Sequence, residues 1–77
     1  MADTQIVLQL TKAEALVLFE WLARMDQSGT LAFEDAAEQQ VLWAVEGQLE
    51  RILVEPLAPD YEEALAAARR SVRESKT

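Results

Sequence analysis

The chain has 77 residues and a formal net charge of −7, from 14 acidic and 7 basic side chains, and it contains neither histidine nor cysteine. The missing residue types exclude disulfides and thiolate zinc sites and remove the commonest general base, so we expect no enzyme activity, no metal and no cofactor. The acidic excess disfavours nonspecific attraction to nucleic acid or anionic lipid and favours a protein partner of basic character.

The length of the chain predicts a single domain, 1–77. A domain of this size buries only about 60–65% of the surface that its unfolded form exposes, so we expect a thin core. The sequence begins with Met1, Ala2 and Asp3, which no signal-type apolar stretch follows, and no apolar run approaches the length of a membrane span. These features predict a cytoplasmic protein that does not enter a membrane.

The first predicted element is a strand over residues 4–10. Apolar and polar side chains alternate there as in a half-buried strand, with Ile6, Leu8 and Leu10 on one face and Gln5, Val7 and Gln9 on the other. Because a strand needs a partner for its backbone N–H and C=O groups, it pairs either with the short stretch 52–54 or with its own copy in a second subunit. The wide apolar arc of the following helix favours the second subunit.

Residues 11–27 are predicted to form the central helix of the fold. Thr11 and Glu14 have the spacing of a capping box, and Gly29 supplies the left-handed residue that closes a helix. Apolar side chains occupy well over half of the helix circumference, so the helix must pack against other elements on two sides. We therefore expect a homodimer whose interface includes four apolar side chains: Ile6, Leu8, Leu16 and Trp21. The alternative is that the third helix covers Leu16 and Trp21 and the protein stands alone.

A second helix is predicted over residues 34–53, with Glu34, Asp35 and Glu38 at the positive end of its dipole. Its apolar stripe is spaced for packing against the central helix in an antiparallel hairpin and consists of Val41, Leu42, Val45, Leu49, Ile52 and Leu53. Trp43 breaks this pattern, because it lies about 180° from Val41 and Ile52 on a helix.

Segment 55–59 contains Pro56 and Pro59 and is predicted to be a linker, because proline fixes φ and biases the preceding residue to extended backbone. A third helix is predicted over residues 61–74. Asp60 and Glu63 have the spacing of another capping box, and a narrow apolar seam is formed by Tyr61, Leu65, Ala68 and Val72. The order of elements is β-α-α-α, which gives a small α+β fold.

Trp43 and its neighbours on the second helix form the candidate partner-binding site. Tryptophan is enriched at binding hot spots, and Gly47 one turn on opens a groove beside it. A row of four polar residues runs beside Trp43. It consists of Gln39 and three acids, Asp35, Glu46 and Glu50. Such a row suits a basic partner. The alternatives are that segment 55–59 or the third helix folds over Trp43 and that the acidic row is a solvated helix face.

The charge of the chain is unevenly distributed. Residues 1–63 contain 13 acids and 3 bases, whereas the last 14 residues contain 1 acid and 4 bases, namely Arg69, Arg70, Arg73 and Lys76. This basic tail lacks the interleaved aromatic residues of single-strand binders. We expect it to complement the dipole of the third helix or to dock on the acidic body.

The order of strand, capped helix, Ser28-Gly29-Thr30 turn and helix across residues 4–53 resembles that of the ribbon-helix-helix repressors. These are dimers whose paired strands enter the DNA major groove, and the resemblance implies that Gln5, Val7 and Gln9 face the groove. The strand contains no Lys or Arg and the second helix begins with two acids, so the cations that hold phosphate are missing and we do not expect nucleic acid as a partner.

Together these features predict a homodimeric antitoxin-, immunity- or inhibitor-like protein that restrains a larger basic partner. The alternatives are a transcriptional regulator on a ribbon-helix-helix-like scaffold and a self-assembling structural protein.

Overall fold

A computed structural model describes residues 4–29 and 32–75 of the chain. These residues form three α-helices, α1 (Lys12–Ser28), α2 (Ala36–Ile52) and α3 (Tyr61–Glu74), and a short 3-10 helix (Glu55–Leu57) between α2 and α3. The fold is all-helical, so the predicted α+β class is wrong. Thr30 of the Ser28-Gly29-Thr30 turn and Lys76 of the basic tail lie outside the described residues.

The predicted strand is absent from the described part of the chain. Residues 4–10 have no regular secondary structure, and their side chains on both alternating faces are exposed. The one candidate partner within the chain is also missing, because Ile52 is the last residue of α2 and the 3-10 helix follows almost at once. Period-2 alternation shows that a segment can form a half-buried strand, but without a second strand its backbone groups have no ladder to join.

The caps explain where α1 and α2 begin. The Thr11 hydroxyl accepts a hydrogen bond from the Glu14 N–H at 3.1 Å, and the Glu14 carboxylate accepts from the Thr11 N–H at 2.8 Å, which confirms the predicted capping box. At the other end Gly29 takes the left-handed conformation with φ 67°. For α2 the N-cap is Asp35, whose Oδ1 accepts from the Ala37 N–H at 2.7 Å, so Glu34 and Asp35 precede the helix.

The capping box predicted for α3 is wrong. Asp60 is the N-cap residue but its side chain makes no capping hydrogen bond, and its backbone has ψ 28° instead of the extended value that a capping side chain needs. The N–H groups of Glu63 and Ala64 bond to the Asp60 carbonyl oxygen. The preceding segment is also less extended than predicted, because Pro56 lies in the first turn of a 3-10 helix, where the fixed φ of proline is favourable.

The three helices pack with α1 between α2 and α3. An ion pair of 2.9 Å joins Lys12 Nζ at the start of α1 to Glu55 Oε2 just beyond α2, so these two helices are antiparallel. The start of α3 is fixed to the middle of α1 by the Tyr61 hydroxyl, which donates to Glu20 Oε1 at 2.9 Å. The core between the helices consists of Leu16, Leu22, Leu49, Leu53, Leu65 and Ala68.

Half of the apolar stripe predicted on α2 does not face the core. Leu49 and Leu53 are buried and Leu42 packs against them, whereas Val41, Val45 and Ile52 are exposed. The six residues form two parallel rows on the helix, and only the row of Leu42, Leu49 and Leu53 points at α1. Helix α1 also packs against α3 along its first half. The rest of its apolar surface covers only one of the two rows of α2.

Candidate partner-binding surface

Trp43 lies on the part of α2 that faces the last turns of α1. Its indole Nε1–H donates a hydrogen bond to Asp26 Oδ1 at 3.2 Å, which fixes one edge of the ring. The residue remains 49% exposed, so the ring is not enclosed by segment 55–59 or by α3. An aromatic ring that is held at one edge and open on its surface is the kind of side chain that anchors interfaces.

Gly47 leaves an open notch one turn beyond Trp43. A Cβ atom added to Gly47 would meet no atom within 4 Å, and the backbone there is ordinary helix, since Gly29 is the described glycine with a positive φ. Neither backbone conformation nor packing within the chain therefore requires a glycine. In the middle of a helix glycine destabilises by roughly 0.5–1 kcal/mol relative to alanine. No contact or backbone strain among the described residues accounts for glycine at this position.

Three carboxylates lie near one another on this side of the protein, those of Glu46 and Glu50 on α2 and of Asp26 on α1. Burial raises the pKa of Glu46, and repulsion from Asp26 and Glu50 raises it further. No cation is among the described groups that shift this pKa. A cationic group from another molecule would lower the energy of Glu46, because both other carboxylates repel it.

We call Asp26, Trp43, Glu46, Gly47 and Glu50 the Trp43 surface. Four of the five predicted partner-binding residues lie within α2, namely Trp43, Glu46, Gly47 and Glu50. The fifth, Asp35, is the N-cap of α2, because its carboxylate accepts from the Ala37 N–H. Asp26 was missed by the sequence reasoning. The predicted antiparallel hairpin places the end of α1 beside α2, but periodicity does not give the relative rotation that brings Asp26 to Trp43.

A shallow cavity of about 170 Å³ adjoins the Trp43 surface. It is lined by Met25, Asp26, Gly29, Phe33 and Gln39. Sites for small molecules generally have volumes of about 300–1,000 Å³. This cavity is smaller, and Asp26 is the one acidic residue that lines it.

The four residues predicted to form the dimer interface do not share one environment. Leu16 is 4% exposed within the single chain, so it belongs to the core and offers almost no surface to a second subunit. Ile6 and Leu8 precede α1 and are exposed, and Trp21 on α1 is half-exposed. The alternative was that the third helix covers both Leu16 and Trp21; Leu16 is buried within its own chain, whereas Trp21 remains 44% exposed.

The basic residues of α3 lie apart from the Trp43 surface along the chain. Arg73 occupies the last turn of α3, where a cation complements the helix dipole. Arg70 and Arg73 are exposed and Arg69 is part-buried. Within residues 4–29 and 32–75, no three His, Cys, Asp or Glu side chains come together in a way that could hold a metal ion.

No protein-family model, curated protein or solved structure matches this chain. The resemblance to ribbon-helix-helix repressors therefore rests on element order alone, and the described residues lack the strand that the resemblance requires. In the part of the chain that the structure describes, every helix is too short or too polar to cross a membrane.

Proposed function

We propose that the protein is a small acidic module that binds a basic partner protein through the Trp43 surface and restrains it, as antitoxins, immunity proteins and inhibitors do. The observation that carries the proposal is the pairing of a half-exposed, edge-fixed Trp43 with the unexplained helical glycine at position 47. A chain without cysteine needs no oxidising compartment, and the proposal sets the protein in the cytoplasm.

The aromatic ring supplies the contact area of the proposed interface. Tryptophan side chains bury on the order of 150–250 Å² and are enriched among the residues that dominate binding energy. A guanidinium or ammonium group stacked on the ring gains a cation–π interaction in addition. The Asp26 hydrogen bond holds the ring in place before binding, so little side-chain entropy is lost when the partner arrives.

The carboxylates supply the charge selectivity. Asp26 and Glu50 each repel Glu46 in the free protein, and a basic partner relieves that repulsion. Complementary charge of this kind raises the association rate and rejects acidic competitors. The notch at Gly47 then admits a partner side chain or backbone that a larger residue would block.

Substitution at Gly47 separates binding from folding. The variant Gly47→Leu is expected to fold at least as stably as wild type, because the added side chain has open space and leucine favours helix. Bound to a resin and exposed to native-host lysate, wild type should retain one protein with more Lys and Arg than Asp and Glu. Gly47→Leu and Trp43→Ala should each weaken that retention by about 30-fold, the effect of a hot-spot residue.

The matched control is Ala66→Leu, which adds the same side chain at an exposed position of α3. It should retain the partner as wild type does. Equal retention of the same proteins by wild type, Gly47→Leu and Trp43→Ala would overturn the proposed function, and so would the recovery of acidic proteins alone.

A further inference from the structure

The Trp43 surface places an aromatic ring beside three carboxylates. Trp43, Glu46 and Glu50 follow one another on α2 at spacings of three and four residues, so they lie in one row along the helix. Asp26 of α1 adds the third carboxylate at the edge of the indole, where its Oδ1 accepts from Trp43 Nε1 at 3.2 Å. The tryptophan is 49% exposed, so another molecule can reach the ring and these charges together.

We propose that the group bound at the Trp43 surface is the guanidinium of an arginine side chain of the partner, stacked on the indole and hydrogen-bonded to the neighbouring carboxylates. This inference rests on the proposed function, since it names the chemical group that the same surface recognises. It is narrower than that function, because a basic protein can also bind through lysine side chains or through its net charge alone.

The carboxylates have no cationic partner within the part of the chain that the structure describes. The ion pair found there joins Lys12 to Glu55, which lies beyond the end of α2, and none of the three carboxylates takes part in it. No described residue donates a hydrogen bond to Glu46 or Glu50. An arriving cation therefore meets two carboxylates that are free to accept and a third, that of Asp26, which is bonded at one oxygen.

The planar guanidinium suits this arrangement better than an ammonium group does. It stacks flat on an aromatic ring and keeps its five N–H donors in its own plane, so it stacks and donates hydrogen bonds at the same time. The ammonium group of lysine is a compact point charge without a flat face, so it gains less from the ring. An indole with carboxylates beside it therefore favours arginine over lysine.

The partial burial of Glu46 favours the same group. Glu46 is part-buried whereas Glu50 is exposed, and burial is the largest cause of the raised pKa of Glu46. A cation that binds Glu46 must give up part of its hydration shell. Guanidinium is more weakly hydrated than ammonium, so it loses less on leaving water.

Nitrogen–proton correlation NMR of the full chain tests the proposal with single-residue probes. The chain contains two tryptophans, and the variant Trp43→Phe assigns the two indole N–H signals. The probes are N-acetyl-arginine methylamide, its lysine analogue and its citrulline analogue, in which a neutral urea replaces the guanidinium. They are added at millimolar concentration and equal ionic strength. The arginine probe should shift the Trp43 signal and bind about 5-fold or more tightly than the lysine probe, and the citrulline probe should leave the signal in place.

Trp21 is an internal control of matched exposure. It is 44% exposed, but the residues three and four positions before and after it include no carboxylate, and one of them is Arg24. Its indole signal should stay in place with every probe. Stacking of arginine on any exposed tryptophan would instead shift the signals of Trp21 and Trp43 alike.

A double variant tests the part of the carboxylates. Glu46→Gln/Glu50→Gln keeps the shape of the surface and removes two charges, and it should weaken binding of the arginine probe by about tenfold or more. The matched control is Glu62→Gln/Glu74→Gln, which removes two charges from exposed positions of α3. This control has the same net charge and should bind the arginine probe as wild type does.

Four results would overturn the proposal. These are an unmoved Trp43 signal with the arginine probe, equal binding of the arginine and lysine probes, equal shifts of the Trp21 and Trp43 signals, and undiminished arginine binding in Glu46→Gln/Glu50→Gln. The proposed function fails by a different result, since it depends on whether wild type retains a basic protein that Trp43→Ala loses. Retention of that kind without a preference for arginine would leave the proposed function in place and remove this inference.

Discussion

Glu46 is a residue whose carboxylate destabilises the free protein. Its pKa is raised from the ordinary value because the side chain is part-buried and because Asp26 and Glu50 repel it. Like charges one helical turn apart destabilise a helix by about 0.2–0.5 kcal/mol. Natural proteins keep such unfavourable groups where function needs them, which is consistent with a role for Glu46 in binding.

The substitution Glu46→Gln should stabilise the protein at neutral pH by a few tenths of a kcal/mol, because it removes the repelled charge. The pKa of Glu46 is higher in the folded state than in the unfolded state. Wild type is therefore most stable below the unfolded-state pKa, and it loses that stability as the pH rises through the folded-state pKa. Urea unfolding at pH 7 and at acid pH measures the difference. The gain should shrink at acid pH, and a less stable variant at pH 7 would contradict the account.

At the scale of residues, the sequence predicts a role for Trp43 because a tryptophan off the core face of a helix breaks the apolar pattern. It places Glu46, Glu50 and Gly47 beside Trp43 because they share its helix. It missed Asp26, which lies on α1 and reaches Trp43 only through the antiparallel packing of α1 and α2. Contacts between elements depend on their relative rotation, which periodicity does not give.

At the scale of elements, α3 matters more than its alanine-rich sequence indicates. The predicted seam packs as expected, with Leu65 and Ala68 buried and Tyr61 and Val72 part-buried. The seam lies along the first half of α1. There it supplies part of the cover that the wide apolar arc of α1 requires, the role that the sequence assigned to a strand and a second subunit.

The hydrogen bond between Tyr61 and Glu20 fixes α3 on α1, and its removal in Tyr61→Phe should cost about 1 kcal/mol in the free energy of unfolding. Burial first, and then the bond to Glu20, raise the pKa of Tyr61 to about 12. Because the folded pKa exceeds the unfolded value near 10, this contribution is present below pH 10 and is lost as pH rises toward 12.

Urea titrations of wild type and Tyr61→Phe between pH 7 and pH 11 test this prediction. The two curves of stability against pH should converge at the alkaline end. A constant difference across that range would contradict the assignment of the bond.

Two elements show why the remaining structure was not predictable. The alternation in residues 4–10 is compatible with a strand, but a strand forms only where a second one is available, and the described residues contain none. The six apolar residues of α2 form two rows of similar hydropathy. Which row faces inward depends on how α1 divides its surface between α2 and α3, and that division is a property of the whole packing.

At the scale of the molecule, α2 is the element that both completes the core and faces outward. Its inner row of Leu42, Leu49 and Leu53 completes a thin core. Its flank with Trp43 and the carboxylates is the one that we propose binds a basic protein.

The central claim is that a basic protein contacts the Trp43 surface, and site-specific photo-cross-linking in the native host tests it most directly. A photoreactive side chain at Gln40, which is exposed one turn before Trp43, leaves the Trp43 surface intact, and the same group at Ala66 on α3 is the control. The account predicts a covalent adduct at position 40, and none at position 66, with one other protein that has more Lys and Arg than Asp and Glu. The same adducts at both positions, or an adduct at position 40 with a second copy of this chain alone, would contradict it.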